Sequence, residues 1–156
     1  LWLKPASGGV PRRLTRGGED AFEAWPSWSR DGRSIAFVSW TDRGLGRIMT
    51  VGARGGTARV VTTEPGHYSS PRFSPDGRTI AFEAGSGGGL TADQWNRDGG
   101  SYVVPASGGQ PRLVERGTSN PQFGASNDRL FMTLRADDKL QLVSTDLSGE
   151  ARRTHA

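Results

Sequence analysis

A repeated pair of sequence elements constrains the fold of this chain more than any other feature. The first element is PSWSRDGRSIAF at 26–37, which recurs as PRFSPDGRTIAF at 71–82 and in weaker form as PQFGASNDRLFM at 121–132. The second element alternates with the first and occupies 2–15, 49–62, 103–115 and 142–154. Copies of the first element begin 45 and then 50 residues apart. Self-similarity at this period is typical of proteins in which each repeat is one supersecondary unit.

Each repeat predicts two β-hairpins. In the first hairpin a strand runs into Asp76-Gly77, where Gly accepts positive φ and Asp bonds to nearby backbone, and the chain returns through Ile80–Phe82. In the second, Tyr102–Val104 turns through Ser107–Gly109 and returns through Arg112–Val114. Turn geometry accounts for these Asp-Gly and Gly-Gly pairs, so we interpret them as scaffold. Four antiparallel strands in about 45 residues match one blade of a β-propeller.

Composition favours an all-β fold. The 23 Gly and 9 Pro are spread along the chain, where they interrupt long helices but suit short strands and tight turns. We therefore predict a partial β-propeller of four-stranded antiparallel blades, about three and a half blades long, over the whole of 1–156. The predicted blade parts are 1–15, 25–63, 70–115 and 121–154.

Three and a half blades are too few to close a ring, because propellers close with about four to eight blades. The sequence leaves two alternatives: the chain is a segment of a longer polypeptide, or two copies complete a ring by association. The first alternative is favoured because the sequence begins in the middle of a blade and without Met.

Charge and hydropathy argue against several classes of function. The formal net charge is +4, but the basic residues stand singly or in pairs between acidic ones, whereas nucleic-acid binding usually needs clustered positive charge. We expect no nucleic-acid partner. No stretch reaches the 18 apolar residues of a membrane helix, so we expect no membrane span. Cysteine is absent, which excludes disulfides and thiolate chemistry within this sequence.

The sequence shows none of the common catalytic or metal-binding patterns. His67 and His155 are the two histidines, and neither belongs to an H-x-H or H-E-x-x-H motif. No serine lies in G-x-S-x-G, and the glycine run at 85–89 lacks the Lys of a phosphate-binding loop. Asp137 and Asp138 do not fit a calcium loop. We therefore predict no catalytic, cofactor-binding or metal-binding residue in this segment.

A binding face is predicted where the loops between blades meet those between second and third strands. That face gathers the loops at 16–25, 40–47, 63–70, 84–101, 116–120 and 136–139. Binding residues concentrate on such loops, and Trp and Arg are frequent binding anchors. The candidate residues are Trp25, Trp40, His67, Tyr68, Trp95 and Arg97. The alternative is that the Trp side chains cover the loop bases and that His67 is a hydrogen-bonded loop residue.

The pattern P-x-[WF]-S-x-D-G-R-x-I-A-F resembles the repeat of TolB-like propellers, also called the WD40-like propeller repeat. The resemblance covers nearly the whole chain, although Asn127-Asp128 and Leu130–Met132 depart from it in the third copy. The stretches at 66–89 and 101–124 look most like the N-terminal propeller of bacterial amidohydrolase-related proteins. Similar propellers occur in periplasmic TolB and before the hydrolase domain of prolyl-oligopeptidase-like peptidases.

The resemblance implies a non-catalytic propeller segment of a larger bacterial hydrolase, related to the amidohydrolases, that acts as an accessory, substrate-gating or interaction scaffold. The parent protein is then a candidate metal-dependent amidohydrolase, with its metal in another domain. Two alternatives are a TolB-like periplasmic interaction module and the propeller of a prolyl-oligopeptidase-like serine peptidase. The implied partner is a neighbouring domain of the same polypeptide or another envelope protein, and the implied location is periplasmic or secreted.

Overall fold

The computed structural model describes residues 1–18, 20–85, 99–137 and 139–155, and all regular elements in these ranges are β-strands. They are β1 Trp2–Leu3, β2 Arg12–Arg13, β3 Phe22–Trp28, β4 Ser34–Thr41, β5 Leu45–Gly52, β6 Arg59–Val60, β7 His67–Phe73, β8 Thr79–Gly85, β9 Gly100–Pro105, β10 Arg112–Arg116, β11 Thr118–Phe123, β12 Arg129–Ala136, β13 Lys139–Asp146 and β14 Arg153–His155. None of the described residues belongs to a helix that is long and apolar enough to cross a membrane.

The strands form one two-stranded and three four-stranded antiparallel sheets, each with its strands in chain order. We call them blade 1 (β1–β2), blade 2 (β3–β6), blade 3 (β7–β10) and blade 4 (β11–β14). The first strands of blades 2, 3 and 4 contact one another in turn, β3 with β7 and β7 with β11. This is the stacking of a propeller, and the predicted partial β-propeller of four-stranded blades is confirmed.

Each of these first strands contains a bulge just before a proline. Trp25, Ser70 and Asn120 stand at φ 50, 51 and 51, and the register against the second strand shifts at each of them. Because the strand continues through the bulge, β3, β7 and β11 begin three residues before the blade parts predicted from sequence. A bulge of this kind bends the strand and re-aims its side chains.

Apolar side chains fill the spaces between neighbouring blades. Phe37 lies between blades 1 and 2, Phe82 between blades 2 and 3, and Met132 between blades 3 and 4, all at or near zero exposure. Phe37 and Phe82 occupy the same place in the repeat, since each follows by two residues an isoleucine of the second strand, Ile35 or Ile80. The core therefore lies between blades, since a single sheet cannot bury both of its faces alone.

The turn between first and second strands is built the same way in blades 2 and 3. In blade 3, Ser74 Oγ donates to Asp76 Oδ1 at 2.6 Å, and the same carboxylate oxygen accepts the N–H of Arg78 at 3.0 Å. These hydrogen bonds, chiefly that from Ser74, hold the pKa of Asp76 below its ordinary value. Blade 2 repeats the arrangement with Ser29 and Asp31.

In blade 4 the corresponding turn has a different construction. Gly124 stands where the other blades have Ser, and here Ser126 bonds to Asp128 and lowers the pKa of that carboxyl group. Asn127 instead accepts the backbone N–H of Asp76 through Oδ1 at 2.9 Å. The third copy of the repeat thus exchanges part of its internal turn bonding for a contact with the preceding blade.

The turn between third and fourth strands packs against the blade before it. A Cβ on Gly55, Gly108 or Gly149 would lie 3.8, 3.4 or 2.3 Å from a backbone carbonyl oxygen of the preceding blade. These carbonyls belong to Leu14, Val61 and Val114, which occupy one position of the repeat. The glycines therefore serve the contact between blades as well as the turn.

Candidate functional site

The loop-rich face of blades 2 and 3 is organised by a pair of glycines. Gly46 and Gly66 exchange two backbone hydrogen bonds of 2.9 Å and so fasten the loop after β6 to the start of β5. A Cβ on Gly46 would lie 2.8 Å from the carbonyl oxygen of Gly66, and a Cβ on Gly66 would lie 2.8 Å from the ring of Tyr68. Neither position has room for a side chain, so the close approach requires glycine.

The loop between blades 2 and 3 is held further by two side chains. Arg47 Nη1 donates to the carbonyl oxygens of Thr62 and Thr63 at 3.3 and 3.0 Å. Tyr68 Oη donates to the carbonyl oxygen of Glu64 at 3.2 Å. Three consecutive backbone carbonyls of the loop thus have fixed partners, which makes this part of the face a preformed surface.

An aromatic patch crosses from blade 2 to blade 3 on this face, and we define it as Phe22, Trp40 and His67. The rings of Trp40 and His67 lie 5.0 Å apart between centroids, at 50°. Trp40 Nε1 donates to Asp42 Oδ1 at 3.3 Å, which orients the indole. Phe22 is directly opposite Trp40 in the β3–β4 register and is 64% exposed. Opposed residues of an antiparallel pair share one face of the sheet.

The structure brings together only some of the residues predicted for the binding face. Trp40 and His67 meet, whereas the ring of Tyr68 turns inward and packs edge-on against Phe82 with centroids 5.1 Å apart. Burial raises the pKa of Tyr68. Tyr68 therefore supports the face from below.

The structure describes one of the three remaining predicted residues. Trp25 occupies the β3 bulge and is 47% exposed. Trp95 and Arg97 lie outside the described residues. Sequence reasoning did not single out Phe22 and Arg47, because both fall within the predicted loops 16–25 and 40–47, whereas the structure places them on β3 and β5.

A close Ser–His pair lies on blade 4, away from the aromatic patch. Ser144 Oγ and His155 Nε2 are 2.8 Å apart, and Arg129 Nη1 donates to the same Ser144 Oγ at 2.9 Å. Ser144 has no exposed surface, so no substrate can reach its hydroxyl. The arrangement fastens β14 to β13. Within the described ranges, no cluster of three His, Cys, Asp or Glu could hold a metal ion.

Comparisons with known proteins agree on a propeller. No family model matches the chain. An uncharacterised peptidase, YuxL, of Bacillus subtilis is 31% identical over 93 residues, which are 60% of this chain and 14% of that protein. The Tol-Pal system protein TolB of Francisella tularensis is 41% identical over 64 residues, which are 41% of this chain and 14% of TolB. The chain therefore matches about one seventh of the length of these relatives.

Solved structures extend the likeness over nearly the whole chain. TolB of Acinetobacter baumannii superimposes with a TM-score of 0.71 over 98% of this chain and 36% of its own, at 17% identity. The β-propeller domain of the Trilobed protease of Pyrococcus furiosus gives a TM-score of 0.63 over 88% of this chain and 44% of its own, at 15% identity. At such identities the likeness shows the fold alone, a TolB-like β-propeller.

Proposed function

We propose that this chain is a non-catalytic propeller segment of a larger bacterial hydrolase, and that its loop-rich face contacts a neighbouring domain of the same polypeptide. The observation that carries the proposal is the aromatic patch, which spans two blades and is held by paired backbone and side-chain hydrogen bonds. The match with a peptidase and the likeness to a protease propeller domain support the hydrolase as host.

The patch has the physical character of a contact surface. Exposed Phe and half-buried Trp and His present apolar area that water solvates poorly. The loops beneath them are already ordered by Arg47 and by the Gly46–Gly66 pair, so binding loses little conformational entropy there. Rigid aromatic anchors on a fixed scaffold are typical of energetically dominant interface residues.

A metal-dependent hydrolase related to the amidohydrolases is the form of host that we favour, with the propeller limiting which substrates reach the neighbouring active site. A prolyl-oligopeptidase-like serine peptidase is an alternative host. The catalytic groups would in either case come from another domain.

The second candidate is a TolB-like interaction module of the cell envelope. It is favoured by the 41% identity with TolB over 64 residues and by the superposition on TolB. In that case the same aromatic patch would contact a separate envelope protein, and the protein would be periplasmic or secreted.

Site-specific photo-crosslinking in the full polypeptide that contains this chain tests the proposal. A photoreactive p-benzoylphenylalanine replaces Phe22 in the patch, and in a control it replaces Arg30, an exposed residue of the turn between β3 and β4 at the opposite end of the blade. The cross-linked peptides are identified by mass spectrometry.

The proposal predicts cross-links from position 22 to another domain of the same polypeptide and none from position 30. Cross-links from position 22 to a separate protein would replace it with the TolB-like module. Equal cross-linking from both positions, or none from position 22, would refute the role of the aromatic patch.

A further inference from the structure

An arginine lies on the innermost strand of blade 3, where β3, β7 and β11 contact one another around the axis of the propeller. Arg72 is opposite Ala81 in the β7–β8 register. Ala81 belongs to the apolar cluster between blades 3 and 4, and opposed residues share one face of a sheet. Arg72 therefore starts from the side of blade 3 that faces blade 4, and the residue is half-buried.

The guanidinium group of this arginine lies at the free edge of β7. Ser74 N donates to Thr79 O at 2.8 Å where β7 turns into β8. Because hydrogen-bonded pairs alternate along an antiparallel ladder, the backbone of Arg72 also bonds to β8, whereas the carbonyl oxygen of Pro71 turns to the opposite edge. Arg72 Nη1 donates to this oxygen at 3.0 Å. The free edge of the innermost strand faces the central channel, so the guanidinium lies at the channel wall.

No carboxylate pairs with this guanidinium among the residues that the structure describes. The strands that pack most closely against β7 are β3, β4, β5, β8 and β11, and their two carboxylates have other partners. Glu23 accepts from the Thr15 hydroxyl, and Glu83 accepts the backbone N–H of Asn120 at 3.2 Å. All these strands belong to blades with four strands present. A half-buried charge normally has an anionic partner, and here the neighbouring strands supply none.

The repeat does not require a cation at this position. The corresponding residues, which likewise follow the proline of the first strand, are Ser27 in blade 2 and Gln122 in blade 4. Both are uncharged, so the packing of neighbouring blades is achieved without a guanidinium there. A charge that the fold does not need, placed at the wall of a channel, is a local departure of the kind that marks functional sites.

The chemistry of the free guanidinium edge favours one class of anion. Nη1 is already bonded to Pro71 O, which leaves Nε and Nη2 of Arg72 as a fork of two parallel N–H groups. Such a fork matches the two oxygens of a carboxylate. Arg47 is the other Lys or Arg on the strands that pack against β7, and it is bonded to the carbonyl oxygens of Thr62 and Thr63. A single free cation balances one negative charge, which suits a carboxylate better than a phosphate dianion.

We propose that Arg72 binds the carboxylate group of a small ligand in the central channel of the propeller. Arg72 follows the patch residue His67 by five residues on the same strand, which is about 15 Å of extended chain. The site therefore lies deeper along the axis than the aromatic patch, and it is independent of the function proposed above.

Arginine modification of the intact polypeptide with phenylglyoxal tests the proposal at about 0.15 M salt, where exposed charges are screened. The rate at Arg72 is measured by peptide mass spectrometry, with exposed Arg78 of the same blade as internal reference. The probes are N-acetylglycine, its uncharged analogue N-acetylglycinamide, and inorganic phosphate. At about 50 mM, N-acetylglycine should slow the modification of Arg72 roughly fivefold, the protection given by a Kd of about 12 mM. The rate at Arg78 should not change.

Two matched variants locate the binding by a second measurement. Arg72→Gln introduces the residue that blade 4 has at this position and so preserves the fold. Arg78→Gln removes an exposed charge from the turn between β7 and β8. N-acetylglycine should raise the unfolding temperature of the unchanged protein and of Arg78→Gln by about 1–3 °C. It should leave the unfolding temperature of Arg72→Gln unchanged.

Four results would overturn the proposal. Failure of Arg72 to react with phenylglyoxal when no probe is present would show that its guanidinium is already paired or closed off in the intact polypeptide. Equal protection by N-acetylglycinamide would remove the role of the carboxylate charge. Stronger protection by phosphate would contradict the choice of a carboxylate. Equal stabilisation of Arg72→Gln by N-acetylglycine would place the bound acid elsewhere.

Discussion

Three glycines at one position of the repeat allow the contact between blades to be measured. Gly55, Gly108 and Gly149 have φ of 90, 105 and 89°, so an alanine at each is strained to a similar degree. The surroundings differ: a Cβ would meet a preceding-blade carbonyl oxygen at 3.8, 3.4 and 2.3 Å, in chain order. Substitution with alanine therefore separates backbone strain from contact between blades.

The expected magnitudes follow from these distances. The unfavourable φ costs of order 1–3 kcal/mol at every position. At Gly55 and Gly108 the new methyl makes an ordinary contact and adds little. At Gly149 the carbonyl of Val114 has to retreat by about 1 Å, and such overpacking costs about 1–3 kcal/mol more. Gly149→Ala should be the least stable variant by that margin, with Gly55→Ala and Gly108→Ala within about 0.5 kcal/mol of each other.

Urea unfolding followed by tryptophan fluorescence gives the three free energies of unfolding, and equal m-values check that the transitions are comparable. Gly18→Ala serves as control, because Gly18 lacks positive φ and has open space around it. If all three glycine variants lose the same stability, the glycines serve the turn alone. The packing of each turn on the preceding blade would then be energetically unimportant, contrary to our reasoning.

Three further predictions concern the core, the turns and the aromatic patch. Phe82→Ala should lower the free energy of unfolding by about 3–5 kcal/mol in urea titration, because the ring is fully buried between blades 2 and 3. Asp76→Asn should destabilise the chain at pH 6, and the difference in urea midpoints should shrink progressively as pH falls below the ordinary carboxyl pKa of 3.8, because the lowered pKa makes the Asp76 contribution fully present above that value and lost as pH falls through the folded value. Gly66→Ala should disturb the aromatic patch, because its Cβ would meet the Tyr68 ring at 2.8 Å, and the His67 ring resonances in NMR spectra should shift more than those of His155.

The sequence predicted the blades well because their signals are local. Asp76-Gly77 and Gly108-Gly109 specify turns by their own backbone preferences, and Ile80–Phe82 specifies a strand by alternation. The number of strands per repeat follows from these two kinds of signal alone. A decayed copy with Asn127-Asp128 was still recognisable, because its spacing is retained.

Features that depend on two blades at once could not be predicted in the same way. The Gly46–Gly66 pair joins a strand start to a loop twenty residues later, and neither glycine belongs to a turn motif. The inward rotation of Tyr68 depends on Phe82 of the adjacent strand.

Blade 2 departs from blade 3 at the positions where an individual function would be expected. A bulky residue at positive φ is strained, yet Trp25 takes the bulge position that Ser70 and Asn120 hold in the other blades. Glu23 and Met49 stand where blade 3 has tyrosines. Local departures that cost stability without a structural gain are characteristic of functional sites. The aromatic patch joins Phe22 and Trp40 of blade 2 to His67 of blade 3, so these departures from the repeat lie in the blade that supplies most of the patch.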